Sequence, residues 1–375
     1  MSGPLAGLRV LEVGGIGPVP FCGMVLSDLG AEVVRLHRIS SAGQAGSVLE
    51  RGGRSVGIDI KRTEAVEVVL KLAERSDVLI EGHRPGVMER LGLGPETCLS
   101  RNPRLIYARM TGWGQDGPLA GAAGHDINYI ALSGALFHIG ERGGKPTPPL
   151  NLVGDFGGGG MLLAMGVLAS LCERSSSGVG QVIDAAMLDG SALLMATWFD
   201  RLARNEFRME RGTNVLDGSA PHYGVYETAD GGYISIGSLE PDFYSLLLNA
   251  TNLGDSELGD KSDWRTWPDA RQRLANVFRQ KTRDEWCALL EGTDVCFAPV
   301  LSAAEAPEHR HNKARSTFVE VNGVRQPAPA PRFSRTPAGT PLEPPIRATH
   351  TGAVLAELGM SEEQIRALRR DEVVA

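Results

Sequence analysis

The stretch that most constrains what this 375-residue chain can fold into is its beginning. Leu8-Arg9-Val10-Leu11-Glu12-Val13 is a short β-prone run that ends in Gly14-Gly15-Ile16-Gly17-Pro18. Phe21, Met24, Val25, Leu26 and Leu29 then recur at helical spacing up to a stop at Gly30, and Glu32-Val33-Val34-Arg35-Leu36 reads as a second strand. This is a βαβ unit, the building block of a parallel sheet. Its glycines invite a dinucleotide turn, but a G-x-G-x-x-G beginning at Gly15 needs a glycine or alanine where the chain has Pro20. The second strand also runs into Arg35, His37 and Arg38, where an NAD enzyme places an acid. Basic residues there suit a phosphorylated ribose, as in NADP or coenzyme A.

The pattern repeats. Arg51 to Lys61 is a basic turn leading into a strand, Glu64 to Arg75 a helix, Asp77 to Glu81 a strand, Gly82-His83-Arg84-Pro85-Gly86 a loop, and Leu105 to Met110 a further strand. Arg38, Arg54, Lys61, Arg84 and Arg109 are thereby expected at loop ends lining the crevice at the carboxyl edge of an open sheet, where they would bind a polyphosphate. A net charge of −7, without a Lys/Arg block, argues against a nucleic-acid partner. Five cysteines with no C-x-x-C pair read as buried thiols in a reducing compartment. No leader, membrane-spanning apolar run or peroxisomal C-terminal address is read, so a cytoplasmic location is expected, with no membrane partner.

Two stretches carry candidate chemistry. Gly124-His125-Asp126-Ile127-Asn128-Tyr129 offers an imidazole at a possible helix start, and Asn151-Leu152-Val153-Gly154-Asp155 offers a carboxylate just before four glycines. Taken singly, Asp155 could be a helix N-cap and His125 a core histidine. Together they are the equipment of an acid/base pair. Beyond them, Met161 to Glu173 and Leu188 to Asn205 are apolar helices, and a polar, glycine-containing segment follows. Ala229-Asp230-Gly231-Gly232 marks a hairpin, Pro241 suits a helical first turn just after Glu240, and Thr282-Arg283-Asp284-Glu285 has capping-box spacing. Glu308-His309-Arg310-His311 has no further ligand cluster nearby, and no metal is expected.

The order of these motifs resembles the family III CoA-transferases, the CaiB/BaiF superfamily, and within them the α-methylacyl-CoA racemases. The resemblance runs from Leu8-Arg9-Val10-Leu11-Glu12 through Arg84-Pro85-Gly86-Val87, Thr111-Gly112-Trp113-Gly114 and Gly178-Val179-Gly180-Gln181 to Pro331-Arg332-Phe333-Ser334 and Leu358-Gly359-Met360-Ser361. It implies an α/β fold in which a Rossmann-like large domain, 1–205 completed by 325–375, joins a smaller α+β domain, 223–324, through a linker, 206–222. It also implies an interlocked homodimer. Transferases of this superfamily use an aspartate nucleophile at the place matched by Asp155. The racemases add a histidine, matched by His125, and a glutamate beside it, matched by Glu240.

The chemistry points the same way. Inverting a carbon next to a thioester carbonyl needs one group to take a proton from one face and another to deliver a proton to the other. Ordinary carboxylate and imidazole pKa values of about 3.9 and 6.5 lie close enough for a site to tune. His125 and Asp155 are therefore expected as the opposed acid/bases, with Glu240 orienting His125, the amide of Asp126 holding the enolate oxygen and Asn151 bonding near Asp155. Coenzyme A enters as part of the substrate, an acyl-CoA thioester, and no separate cofactor is expected. The rival readings are a CoA-transferase with Asp155 as nucleophile, a non-catalytic CoA-binding protein and, more remotely, a nicotinamide oxidoreductase.

Overall fold

The structure is a computed structural model that describes residues 2–375. It divides into two compact units. The first comprises 1–133, 149–194 and 316–375; the second comprises 134–148 and 195–315.

The first unit opens with β1 (Arg9–Val13), α1 (Pro18–Asp28), β2 (Glu32–His37), β3 (Arg54–Gly57), α2 (Thr63–Glu74), β4 (Val78–Glu81), α3 (Val87–Arg90), α4 (Pro95–Arg101) and β5 (Ile106–Thr111). It continues with α5 (Asp126–Leu132), a π-helix (Leu152–Met161), α6 (Leu162–Ser177), β6 (Val182–Ala186) and α7 (Met187–Leu194). The six strands form one parallel sheet in the order β3-β2-β1-β4-β5-β6. This is the Rossmann order, and its switch point lies between β1 and β4. Side chains alternate across the sheet: Leu11, Leu79 and Tyr107 enter one core with α2, while Val10, Val78, Ile80 and Ala108 enter the other with α1 and α6.

The second unit holds α8 (Ala196–Ala203), β7 (Tyr223–Glu227), β8 (Tyr233–Gly237), α9 (Pro241–Thr251), α10 (Asp255–Leu258), α11 (Trp267–Phe278), α12 (Arg283–Leu290), β9 (Phe297–Val300) and α13 (Arg310–Ala314). Its three strands are antiparallel and pack through Tyr226, Ile234 and Ile236 on Tyr244, Leu247, Leu274, Phe278 and Trp286. Thr282 caps α12 as its spacing indicates, with the Thr282 amide donating to Glu285 at 2.8 Å. The chain then returns to the first unit as the hairpin β10 (Phe318–Val321) and β11 (Val324–Pro327), followed by α14 (Thr351–Glu357) and α15 (Glu362–Arg370). Arg51 fastens this return, bonding Asp28, the side chain of Gln326 and the carbonyl of Pro327.

Several elements differ from the sequence expectations. The second unit takes in 134–148 and begins again at Met195, rather than after a linker ending at 222. The expected helix Leu188 to Asn205 is two helices broken at Met195, so its second half packs with the second unit. Apolar periodicity does not show which core a helix faces. Only Cys22 and Cys98 are buried, whereas Cys172 and Cys296 are exposed. Among the described residues one run, Leu152–Ser177, is long and apolar enough to cross a membrane by length and composition, where no such run was expected. In this fold it supplies Leu163, Ala164 and Val167 to a sheet core.

Candidate active site

The switch point between β1 and β4 is where an open α/β sheet offers its ligand crevice. From β1 the chain enters Gly14-Gly15-Ile16-Gly17, and Gly17 has φ 65°, a backbone region that favours glycine. A Cβ at Gly17 would lie 2.9 Å from an Asp155 carboxylate oxygen, so the missing side chain lets the acid stand against this loop. From β4 comes His83, whose Nε2 lies 2.7 Å from the Cβ position of Gly14. Burial and the Arg38 charge hold the His83 imidazole below its ordinary pKa, and its buried Nε2 has no hydrogen-bond partner among the described residues.

Asp155 is not a helix N-cap. It sits in the first turns of the π-helix, a wide winding that is rare in proteins and frequent at functional sites. The four following glycines let that helix lie against its neighbours. A Cβ at Gly158 would meet the Ser191 amide nitrogen at 2.7 Å, and one at Gly190 would meet the Gly158 carbonyl oxygen at 1.9 Å. The side chain of Asn151 donates to Asp155 Oδ2 at 3.0 Å, so the amide meets the carboxylate as the sequence suggested.

His125 is the N-cap of α5, exposed, with its backbone N–H donating to Asn128 Oδ1 at 3.0 Å. Behind it, Tyr129 packs edge-on against Trp113 with ring centres 4.7 Å apart, which holds the start of α5 in place. Next to His125, Asp126 turns its carboxylate inward. Its Oδ1 accepts from the Asp155 amide at 2.8 Å, and the Gly154 amide bonds the same carboxylate. The residue beside the imidazole therefore holds the backbone that carries the acid. Burial pushes the Asp126 carboxyl above its usual range, and the negative charge of Asp155 adds to the rise.

Sequence reasoning chose the amide of Asp126 and overlooked its carboxylate. An acid in a helical first turn signals dipole compensation, whereas its partner 29 residues onward is visible only in the fold. Replacing Asp126 with alanine strands the amides of buried Gly154 and half-buried Asp155, at a cost of about 1–3 kcal/mol. The expected result is a fall in kcat of about tenfold or more, largely restored by asparagine, which keeps an acceptor at the same place. Steady-state kinetics of the two variants check this, and equal loss in both would show that the charge is what matters.

The basic residues separate into two groups. Arg38, after β2, Lys61, after β3, and Arg84, after β4, are exposed beyond the carboxyl ends of their strands and have no carboxylate partner among the described residues. Arg54 opens β3 instead of following it and is paired with Glu32 at 2.9 Å and Glu357 at 2.7 Å. Arg109 lies inside β5, buried, with Glu81 at 3.0 Å and Glu89 at 2.8 Å. Of the cations ending β2, Arg35 is fully buried and lies 3.6 Å from Glu12. Glu240 belongs to the second unit, where it is the exposed N-cap of α9 with Pro241 as the first helical residue.

The fold and site together define a Rossmann-like α/β protein with a histidine and an aspartate held at the carboxyl side of its parallel sheet. The chain belongs to CoA-transferase family III, whose family model matches residues 5–351. It is 47% identical over 372 residues to the α-methylacyl-CoA racemase of Mus musculus, covering 99% of this chain and 97% of that protein. It is 44% identical over 373 residues to the human α-methylacyl-CoA racemase, with the same coverage. Among solved structures it superimposes on a CaiB/BaiF family protein from Brucella suis with a TM-score of 0.81 at 26% identity, covering 96% of this chain and 100% of the other.

Proposed function

We propose that this chain is an isomerase that interconverts the (2R) and (2S) forms of 2-methylacyl-CoA thioesters by moving a proton from one face of the α-carbon to the other. The observation that carries the reading is the 2.8 Å bond from the Asp155 amide to the Asp126 carboxylate, which ties the imidazole-bearing start of α5 to the carboxylate-bearing π-helix. The likeness to two racemases over nearly their whole length supports it.

In this mechanism one of His125 and Asp155 removes the α-proton as a base, and the other, protonated, delivers a proton to the opposite face of the enolate. Their roles exchange with the handedness of the substrate. The thioester makes the α-proton more acidic than that of an ordinary ester, and the Asp126 amide is assigned to the enolate oxygen. Asn151 holds the Asp155 carboxylate in position. Glu240 is assigned the role of orienting the imidazole. The test is proton exchange in D2O with a single enantiomer of a 2-methylacyl-CoA. Exchange with loss of enantiomeric purity is expected, and an untouched α-proton would sink the reading. Transfer of labelled CoA to a free acid instead would indicate a transferase with Asp155 as nucleophile.

Arg38, Lys61 and Arg84 are assigned to the phosphates of coenzyme A, because they combine exposure with freedom from carboxylate partners at the crevice edge. Arg54 and Arg109 would have to give up two carboxylates each to serve there, which makes them supports of the sheet in this reading. Arg84→Ala should raise KM about tenfold with kcat little changed, an effect that shrinks at high salt. The opposite split, a lower kcat at unchanged KM, would place Arg84 with the chemistry. A homodimer fits the exposed apolar side chains Met161, Met165, Leu168, Leu193 and Leu194, which leave a surface suited to a second copy of the chain.

A further inference from the structure

The second unit shows how the strap carrying Glu240 is held. Ser238, fully buried, donates its hydroxyl to the Val295 carbonyl at 2.6 Å. Two residues on, the Tyr244 amide donates to the Glu240 carbonyl at 2.9 Å as α9 begins. Between these anchors the Leu239 carbonyl accepts from Lys261 Nζ at 2.5 Å. Lys261 comes from the segment before α11 and is held at both its side chain and its backbone. Its ammonium lies 4.7 Å above the Tyr244 ring, its carbonyl accepts the Trp267 indole N–H at 3.1 Å, and Tyr244 and Trp267 are both packed edge-on against the buried His222. A long, flexible lysine held this tightly has already lost much of its side-chain entropy.

We infer that Lys261 is a positioning residue for Glu240: it turns the 239–240 peptide and holds a half-buried positive charge beside the Glu240 carboxylate. The inference rests on the racemase reading, which gives Glu240 its role. The electrostatics agree, since burial lowers the proton affinity of Lys261 while Glu240 raises it. An ammonium taken partly out of water, and paired with a π face and a carbonyl, interacts with a neighbouring carboxylate more strongly than a freely solvated one. His222 lies beside this ammonium and stays neutral, its pKa depressed to about 4 by burial and then by the Lys261 charge, so no second cation competes at neutral pH.

The experiment is a double-mutant cycle on the full chain with Lys261→Met, Lys261→Arg, Glu240→Gln and the Lys261→Met/Glu240→Gln pair, reading kcat, KM and thermal midpoint. Methionine keeps the stem against Tyr244 and removes the charge; arginine keeps the charge and a donor. The expected result is a fall in kcat of about tenfold for Lys261→Met with KM within about twofold, substantial rescue by Lys261→Arg, and almost no further loss when Lys261→Met is added to Glu240→Gln. Full additivity in the pair, an unchanged kcat in Lys261→Met, or a drop in midpoint with no rescue by arginine overturns the proposal. A wild-type chain that exchanges no α-proton overturns the racemase reading itself, and this inference with it, whereas additivity on an active enzyme leaves that reading standing.

Discussion

His125→Ala is expected to cripple inversion while leaving isotope exchange on one enantiomer of the substrate. If two groups flank the α-carbon, each enantiomer presents its proton to only one of them. Without the imidazole, Asp155 still removes the proton facing it and returns a deuteron to that same face, which gives exchange with retention. Asp155→Ala is expected to show the mirror image, with exchange confined to the opposite enantiomer. Positioned proton transfer is worth about 10²–10⁴-fold, and racemisation should fall by that factor in either variant. Proton NMR in D2O, run on each pure enantiomer with chiral analysis of the recovered acid, reads both quantities. Two variants that lose exchange on the same enantiomer would rule out opposed bases. An Asp155-dependent, His125-independent transfer of CoA to an acid would assign the aspartate to nucleophilic work.

The second large effect is on stability. Gly190→Ala should destabilise the fold by at least about 3 kcal/mol, because overpacking where backbone meets backbone leaves no flexible group to give way. Its new Cβ would fall 1.9 Å from the Gly158 carbonyl oxygen and 2.6 Å from the carbonyl carbon, well inside any real contact. Relief requires α7 and the π-helix to separate, and Asp155 rides on that π-helix. Denaturant unfolding should show a clearly lower midpoint, and any folded fraction should racemise poorly. A control in the same unit, Gly166→Ala on α6, likewise carries no positive φ, and its Cβ would meet nothing nearer than 3.4 Å, so it should leave the midpoint unchanged or raise it. Equal destabilisation in the two would show that the close approach of Gly158 is not what Gly190 serves.

Much of the sheet was legible because local chemistry dictated it. The runs at 8–13, 32–36, 77–81 and 105–110 are apolar and bounded by turn residues, and each falls on a strand of the parallel sheet to within two residues. Proline at 241 marked the start of α9, since it lacks only an N–H that a helical first turn leaves unused. Asn151 lies one π-turn from Asp155, near enough in sequence for its bond to the carboxylate to be anticipated. Arg54 and Arg109 were placed less well, because a basic residue close to a strand end looks the same whether it faces a crevice or a buried carboxylate. Their partners Glu357 and Glu81 are 303 and 28 residues away.

The sequence by itself determined the βαβ alternation and the place of the glycines, since these depend on residue type and short-range spacing; it nominated His125 and Asp155 as an acid/base pair, and Glu240 only through the family resemblance. Only the tertiary structure decided that the Asp126 carboxylate holds the Asp155 backbone, that Gly158 and Gly190 touch, and that Lys261 grips the strap before Glu240. Each of these joins residues between 22 and 32 positions apart. Hydrogen bonds and close contacts of that range are set by how whole elements pack, which no local pattern encodes.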